Sequence, residues 1–285
     1  MVLNKELRDK ILSFVIKQPR SIQEVAFFIE KNWRTANSYI EKIRDEYGFL
    51  QTKVFREGSR GALKIVYYQT VESSSKDGIR EKLFQKILSS RNKEDFLPFD
   101  IYQYVDENKR SAFMEAQSEY TITKKQDIIK ELRKTKKQLL IFSGNLSWAH
   151  SKQDGIRLLS VFEELISRGI KIKILVDVNF SSIVNIKKVL SLNNKLKLDL
   201  IEIRHSVQPF RAFIVDDVLV RFKEEERLSE DLISKRKKRF LFYDIFDEEW
   251  ILWIQQIFWN YFNNSIGANE RIKDLESVKM ISLKK

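Results

Sequence analysis

The 285-residue sequence contains no cysteine. Disulfides, catalytic thiols and thiolate metal sites are all excluded by that absence. Histidine is nearly as scarce. His150 and His205 are the only two, which argues against a histidine-rich metal centre, so neither a metal nor a cofactor is expected. No apolar run approaches the ~20 residues needed to span a bilayer. The richest stretch, residues 250–262, is too short for that and reads as an amphipathic or buried helix. The opening Met1-Val2-Leu3-Asn4-Lys5-Glu6 is polar from the start and carries no signal-peptide core. Together these absences lead to the expectation of a soluble, cytoplasmic protein with no membrane partner.

What is present is apolar mass and positive charge. A hydrophobic fraction of 43% with 20 Phe and 5 Trp is enough to build cores. The length suits two domains of ordinary size. The formal net charge of +12 points to a polyanionic partner, nucleic acid first and an anionic membrane surface second.

Residues 1–72 have the order helix, helix, helix, hairpin. Leu7, Ile11, Phe14 and Val15 recur at helical spacing until Pro19. Ser21 can cap a second helix, with Glu24 completing a capping box. A third helix over 34–47 stops at Gly48. Two β-rich segments, 49–56 and 62–69, flank the turn Glu57-Gly58-Ser59-Arg60-Gly61. This order resembles a winged helix-turn-helix, whose third helix enters the major groove while the wing lies on the flanking backbone. The resemblance implies double-stranded DNA as partner. It makes Arg34, Thr35, Asn37, Ser38, Tyr39 and Lys42 the reading face of the third helix, since Arg and Asn match guanine and adenine edges. Arg56, Arg60 and Lys64 are the wing residues expected against phosphates. Residues 1–70 carry thirteen basic and eight acidic side chains, with no acid on the wing strands. A protein-binding winged helix whose polar face simply stays wet is the bland alternative.

A polar, aperiodic stretch from Glu72 to Gly78 opens a connector, 73–123, that includes one helix. From 124 to 265, near-continuously apolar strands alternate with helices, which argues for an α/β sandwich with helices on both faces. Residues 266–285 read as a C-terminal tail.

Within the sandwich, Pro209-Phe210-Arg211-Ala212-Phe213-Ile214-Val215-Asp216 resembles the phospholipase D motif His-x-Lys-x4-Asp. Asp216 matches the Asp, Arg211 replaces the Lys, and Pro209 stands at the position of the nucleophilic His. Proline offers no side-chain nucleophile, so no catalytic residue is assigned and no enzyme is expected. Further pieces of the family pattern are Lys137 to Ser147 on a first strand and exit loop, the turn around Arg168 and Gly169, and Ile245-Phe246-Asp247-Glu248-Glu249 before an aromatic helix. The fold class is thus an α+β winged helix-turn-helix followed by an α/β phospholipase-D-like domain. That pairing resembles the TrmB-like archaeal transcription regulators. It implies a homodimer, because a single motif copy is present, and a C-terminal domain that senses a small-molecule effector.

Candidate ligand residues are Asn145, His150, Arg211 and Asp216. Against these stand plainer roles: a loop histidine, and an Arg211–Asp216 pair that merely fixes the strand. His205 lies four residues before the motif position and, with Val207 at the Lys spacing, does not rebuild the motif. The run Ser234-Lys235-Arg236-Lys237-Lys238-Arg239 is the densest basic segment and serves either DNA or an anionic ligand, or is a solvated turn. Two rival functions remain: a phosphodiesterase or nuclease with an atypical site, and a winged-helix adaptor that binds protein.

Overall fold

The computed structural model describes residues 3–47, 50–56, 62–68, 76–116, 122, 127–226 and 239–282. Contacts divide the chain into two compact units, 1–83 and 84–285.

In the first unit, α1 (Lys5–Lys17) starts at Asn4, whose Oδ1 accepts from the Leu7 N–H at 2.8 Å. The two-residue β1 (Arg20–Ser21) leads into α2 (Ile22–Phe28). Ser21 and Glu24 form the anticipated capping box: Ser21 Oγ accepts from the Glu24 N–H at 3.1 Å, and Glu24 Oε2 accepts from the Ser21 N–H at 2.7 Å. Asn32 Oδ1 accepts from the Thr35 N–H at 2.9 Å and so caps α3 (Trp33–Tyr47). The wing strands β2 (Leu50–Arg56) and β3 (Ala62–Tyr68) pair antiparallel, and β1 adds to the other edge of β3. The core is Ile11, Val15, Ile22, Val25, Ile40, Ile43 and their neighbours. This is the winged helix-turn-helix order, with a third strand that the sequence pattern did not reveal.

The second unit begins within α4 (Lys76–Ser89), at Phe84, and continues through the short α5 (Phe99–Tyr102) to β4 (Arg110–Ala116). The stretch expected to be connector therefore supplies a strand, which pairs along its length with β12. After α6 (Ile128–Arg133) come β5 (Gln138–Ser143), a small hairpin of β6 (Lys152–Gln153) and β7 (Ile156–Arg157), and α7 (Leu158–Ser167). Gly169 ends that helix with φ +80°, a conformation side chains other than glycine rarely adopt. The chain continues through β8 (Lys171–Val176), α8 (Ile183–Leu196), β9 (Ile201–His205), β10 (Ala212–Val215), β11 (Leu219–Glu225), β12 (Arg239–Ile245), α9 (Glu248–Asn263) and α10 (Ala268–Ser282). The tail expected over 266–285 is thus largely helical, because Ala268 and Ile272 are apolar positions that bury in the core.

The seven strands run in the order β4-β12-β11-β10-β5-β8-β9. β5, β8 and β9 are parallel and the remaining pairs antiparallel. On one face, Ile141, Ile172, Ile174 and Ile203 pack with Val161 and Phe162 of α7 and with Ile186 and Val189 of α8. On the other face, Phe142, Phe210, Phe222 and Phe258 form chained ring contacts at 5.1–5.4 Å. The α/β sandwich is present, and of the aromatic residues of α9 Trp250, Phe258 and Phe262 are core, while Trp253 and Trp259 are half-buried.

Replacing Ser21 by Ala removes half of the capping box at a buried helix start. The expected loss is about 1 kcal/mol of stability in the first unit, read as a lower urea midpoint at unchanged m-value. An unchanged midpoint would mean that tertiary packing alone sets this helix start.

Candidate nucleic-acid interface and ligand cleft

The third helix sorts its residues by period. Ala36, Tyr39, Ile40 and Ile43 turn inward, and Arg34, Ser38 and Lys42, spaced i, i+4, i+8, form an exposed stripe. Tyr39, expected on the reading face, is only 5% exposed. Its ring completes the same apolar stripe as Ala36 and Ile43, which explains the correction. Thr35 is half-buried. Asn37, also half-buried, accepts from Lys64 Nζ at 2.9 Å, and the same ammonium pairs with Glu41. Lys64, expected against phosphates, instead ties the wing to the third helix, its charge held by a carboxylate. The side chain of Arg56 and all of Arg60 lie outside the described residues, as does the basic run up to Lys238.

In the second unit, Asp216 is 6% exposed and sits at φ +46°, a backbone conformation that Asp tolerates better than most residues. Its carboxylate accepts from three consecutive backbone N–H groups, those of Lys136, Lys137 and Gln138, at 2.7, 2.9 and 2.8 Å. Asp216 therefore anchors the start of β5 instead of pairing with Arg211, and it lines neither of the cavities described below. His150, on the 3-10 turn Ser147–His150, bonds Asn185 through Nε2 at 2.8 Å and faces Lys188 through Nδ1 at 3.1 Å. Those contacts turn its ring to α8. His205 Nδ1 accepts from the Val178 N–H at 3.0 Å, and burial and then Arg271 hold its pKa below the usual histidine value despite Asp177. A neutral imidazole is what that hydrogen bond requires.

Arg211 and Asn145 remain at a cleft. The Arg211 guanidinium lies against residue 144, its nitrogens 3.6 and 3.7 Å from where a Cβ would sit on Gly144. Among the described residues it has neither an ion pair nor a side-chain hydrogen bond. It borders two cavities. One, of about 350 Å³, opens at the C-terminal ends of β5, β8 and β9 among Asn145, Asp177, Asn179, Ser206 and Gln208, the place where open α/β sheets hold ligands. The other, of about 190 Å³, is walled by Trp148, Phe213, Phe242, Ser143, Arg221 and Lys223.

Strand register explains that second cavity. Residues opposite one another share a face. Ala212 pairs with Phe142 and Phe222, so Arg211 falls between Ser143 and Lys223; the Lys223 N–H donates to the Arg211 carbonyl at 2.8 Å. Arg221 stands opposite Phe213 and Asp244, and Nε and Nη2 of that arginine each donate to the Asp244 carboxylate at 2.6 Å. Lys223 has its Nζ 3.8 Å from the centre of the Phe240 ring. Burial, and next the Arg211 charge, push the Lys223 pKa down to about 8 against the opposing pull of Glu225 and Glu115. Sequence reading missed Lys223 and Arg221. Their signal was the period-two series Arg221, Lys223, Glu225 on one strand, which becomes meaningful only once the strand is placed beside Arg211.

No protein-family model and no curated protein matches the chain. Among solved structures, it is similar to TrmBL2, an archaeal chromatin protein whose structure shows a novel mode of DNA binding, at 13% identity and a TM-score of 0.39 over 93% of this chain and 94% of that one. It is also similar to Nuc, a phospholipase D family member from Salmonella typhimurium, at 12% identity and a TM-score of 0.38 over 56% of this chain and 98% of that one. A third is NucT from Helicobacter pylori, at 17% identity and a TM-score of 0.37 over 56% and 98%. Likeness at this level identifies neither activity nor ligand.

Two substitutions separate the roles of the charges in the second unit. Asp216→Ala leaves three backbone N–H groups without their acceptor and is expected to cost about 2–4 kcal/mol in a urea titration; a loss under about 1 kcal/mol would show that water replaces the carboxylate. Lys223→Met is expected to stabilise the chain by about 1–2 kcal/mol at neutral pH, after discounting for the exposed part of the lysine. The folded pKa lies below the unfolded one, so wild-type stability rises from pH 8 towards 10.5 and the gap to the variant closes across that window. Thermal melts at pH 7 and pH 10 check the sign.

Proposed function

We propose that the chain is a DNA-binding transcription regulator, acting as a homodimer, whose second unit has lost phosphodiesterase chemistry and serves dimerisation and effector sensing. The observation that carries this reading is the exposed stripe Arg34, Ser38, Lys42 on a third helix whose opposite side is buried. A helix presented in that way, beside a β-hairpin, fits the major groove. Asn37 stands at the edge of the stripe and, held by Lys64, has its amide oriented before DNA arrives. Two winged helices brought together by a dimer would read a two-fold operator. In the second unit, the position of the nucleophile is Pro209, which cannot attack phosphorus, and Asp216 is committed to the backbone of β5.

Fluorescence anisotropy with a labelled duplex tests the interface. Affinity is expected to fall on the order of a hundredfold between about 50 and 200 mM salt, for about four phosphate contacts. Arg34→Ala is expected to cost about 1–3 kcal/mol of binding and to relax preference at one base position. Lys42→Ala should weaken all duplexes evenly and flatten the salt slope. Full DNA affinity in the double variant would leave the adaptor reading in its place.

A further inference from the structure

The cavity over the face of β5, β10, β11 and β12 that bears Arg211 has a chemistry that dimerisation and DNA reading leave unused. Two cations, Arg211 and Lys223, sit directly opposite each other on adjacent antiparallel strands, a placement that ordinarily destabilises a sheet. Arg221 on the same face already has Asp244 as its bidentate partner, whereas Arg211 has no carboxylate within ion-pair reach among the described residues. The remaining wall is aromatic and hydroxylic: Trp148, stacked on Phe162 with ring centres 4.8 Å apart, Phe213, Phe242 and Ser143. The volume of about 190 Å³ equals roughly six waters at about 30 Å³ each. That space suits a single ring or a short chain with one charged group.

We propose that this cavity is the effector site and that it takes a small organic anion, its carboxylate or phosphate monoester held between Arg211 and Lys223 and its apolar body lying against Trp148, Phe213 and Phe242. The inference rests on the effector-sensing part of the regulator reading and gives that effector a chemical class. A neutral ligand would leave Arg211 uncompensated beside a second cation in a half-buried site. One anion relieves that confrontation and gains charge-assisted hydrogen bonds from both. The lysine is therefore kept at a position where it weakens the free fold, because the bound state recovers the difference.

Protonation follows from the same geometry. Arg221 is paired with Asp244. Glu225, on the same strand as Lys223, and Glu115, on β4, both favour the charged ammonium, yet burial and Arg211 prevail and its pKa falls to about 8. Anion affinity is consequently greatest below pH 8 and declines above it.

Isothermal titration calorimetry of the full chain tests the site with three probes: phenyl phosphate, benzoate and neutral benzyl alcohol. One anion site per chain at pH 7, at least tenfold weaker at pH 9.5, with no heat from benzyl alcohol, is the expected result. Phenyl phosphate alone binding would identify a phosphate monoester, and both acids binding a general carboxylate-or-phosphate site. Arg211→Ala and Lys223→Met should each weaken binding tenfold or more. Since Lys223→Met is expected to fold more stably than the parent, its loss of binding cannot be ascribed to unfolding. Absence of heat with either acid, equal binding of benzyl alcohol, or undiminished affinity in both variants would overturn the site. Anisotropy on DNA, run on the same samples, keeps the two claims apart: anion silence with intact DNA binding removes only the effector site, and anion binding without DNA affinity removes only the regulator reading.

Discussion

Three backbone N–H groups converging on the Asp216 carboxylate fix the junction on which the second unit is built. On one side of that junction lies the parallel half of the sheet, β5, β8 and β9; on the other lies the antiparallel half that begins with β10. The backbone at Asp216 turns through φ +46° to pass from β10 towards β11, while Gln255 Nε2 donates to its carbonyl at 2.5 Å from the covering helix. Because the carboxylate holds the first residues of β5, the register of β10 against β5 is set at its very end. That register decides which residues of both strands face the cleft. The burial of Asp216 is thus explained by architecture alone.

From that register follows the division of labour within one face of the sheet. The part bearing Ile141, Ile174 and Ile203 is roofed by α7 and α8 and is almost wholly aliphatic. The same face, continued onto β10, β11 and β12, carries Arg211, Arg221, Lys223 and Asp244 interleaved with Phe213, Phe240 and Phe242. One ion pair, Arg221 with Asp244, is internally satisfied. Arg211 is not balanced in the same way, and a cavity lies beside it. Electrostatics therefore distinguishes the two halves of this face more sharply than secondary structure does. In the winged helix, Glu41 holds the ammonium of the wing's Lys64, and Arg34 and Lys42 of the third helix are exposed.

Much of this was legible where a local rule acts alone. The Ser21/Glu24 capping box, the stop at Gly169 and the hydrophobic strands β5 and β8 each follow from a few neighbouring residues. Burial of Tyr39 was also readable in principle, since Ala36, Tyr39, Ile40 and Ile43 share one helical stripe, but its hydroxyl makes the residue resemble a surface group. The strand Arg110–Ala116 was not legible. Its alternation of Arg, Ser, Ala and Glu with Phe and Met is weak, and it becomes a strand because β12 offers it a full ladder of partners. β1 is similar, two residues extended only by pairing with β3. At the site, Arg211, Asn145 and Asp216 were found by motif position, but their roles diverged: a cleft cation, a cleft lip and a backbone anchor. Lys223, twelve positions beyond Arg211 in the chain, belongs to the site through sheet register, which no spacing rule encodes.

On the regulator reading, one unit recognises nucleic acid and the other lacks the nucleophilic equipment that its own motif would require. Selection from a random duplex pool, carried out with magnesium present and followed by sequencing and by gel analysis of the same DNA, tests that most directly. The account predicts a recovered motif with two-fold symmetry on DNA that remains uncut. Cleaved DNA, or full retention of the pool without any enriched sequence, would contradict it.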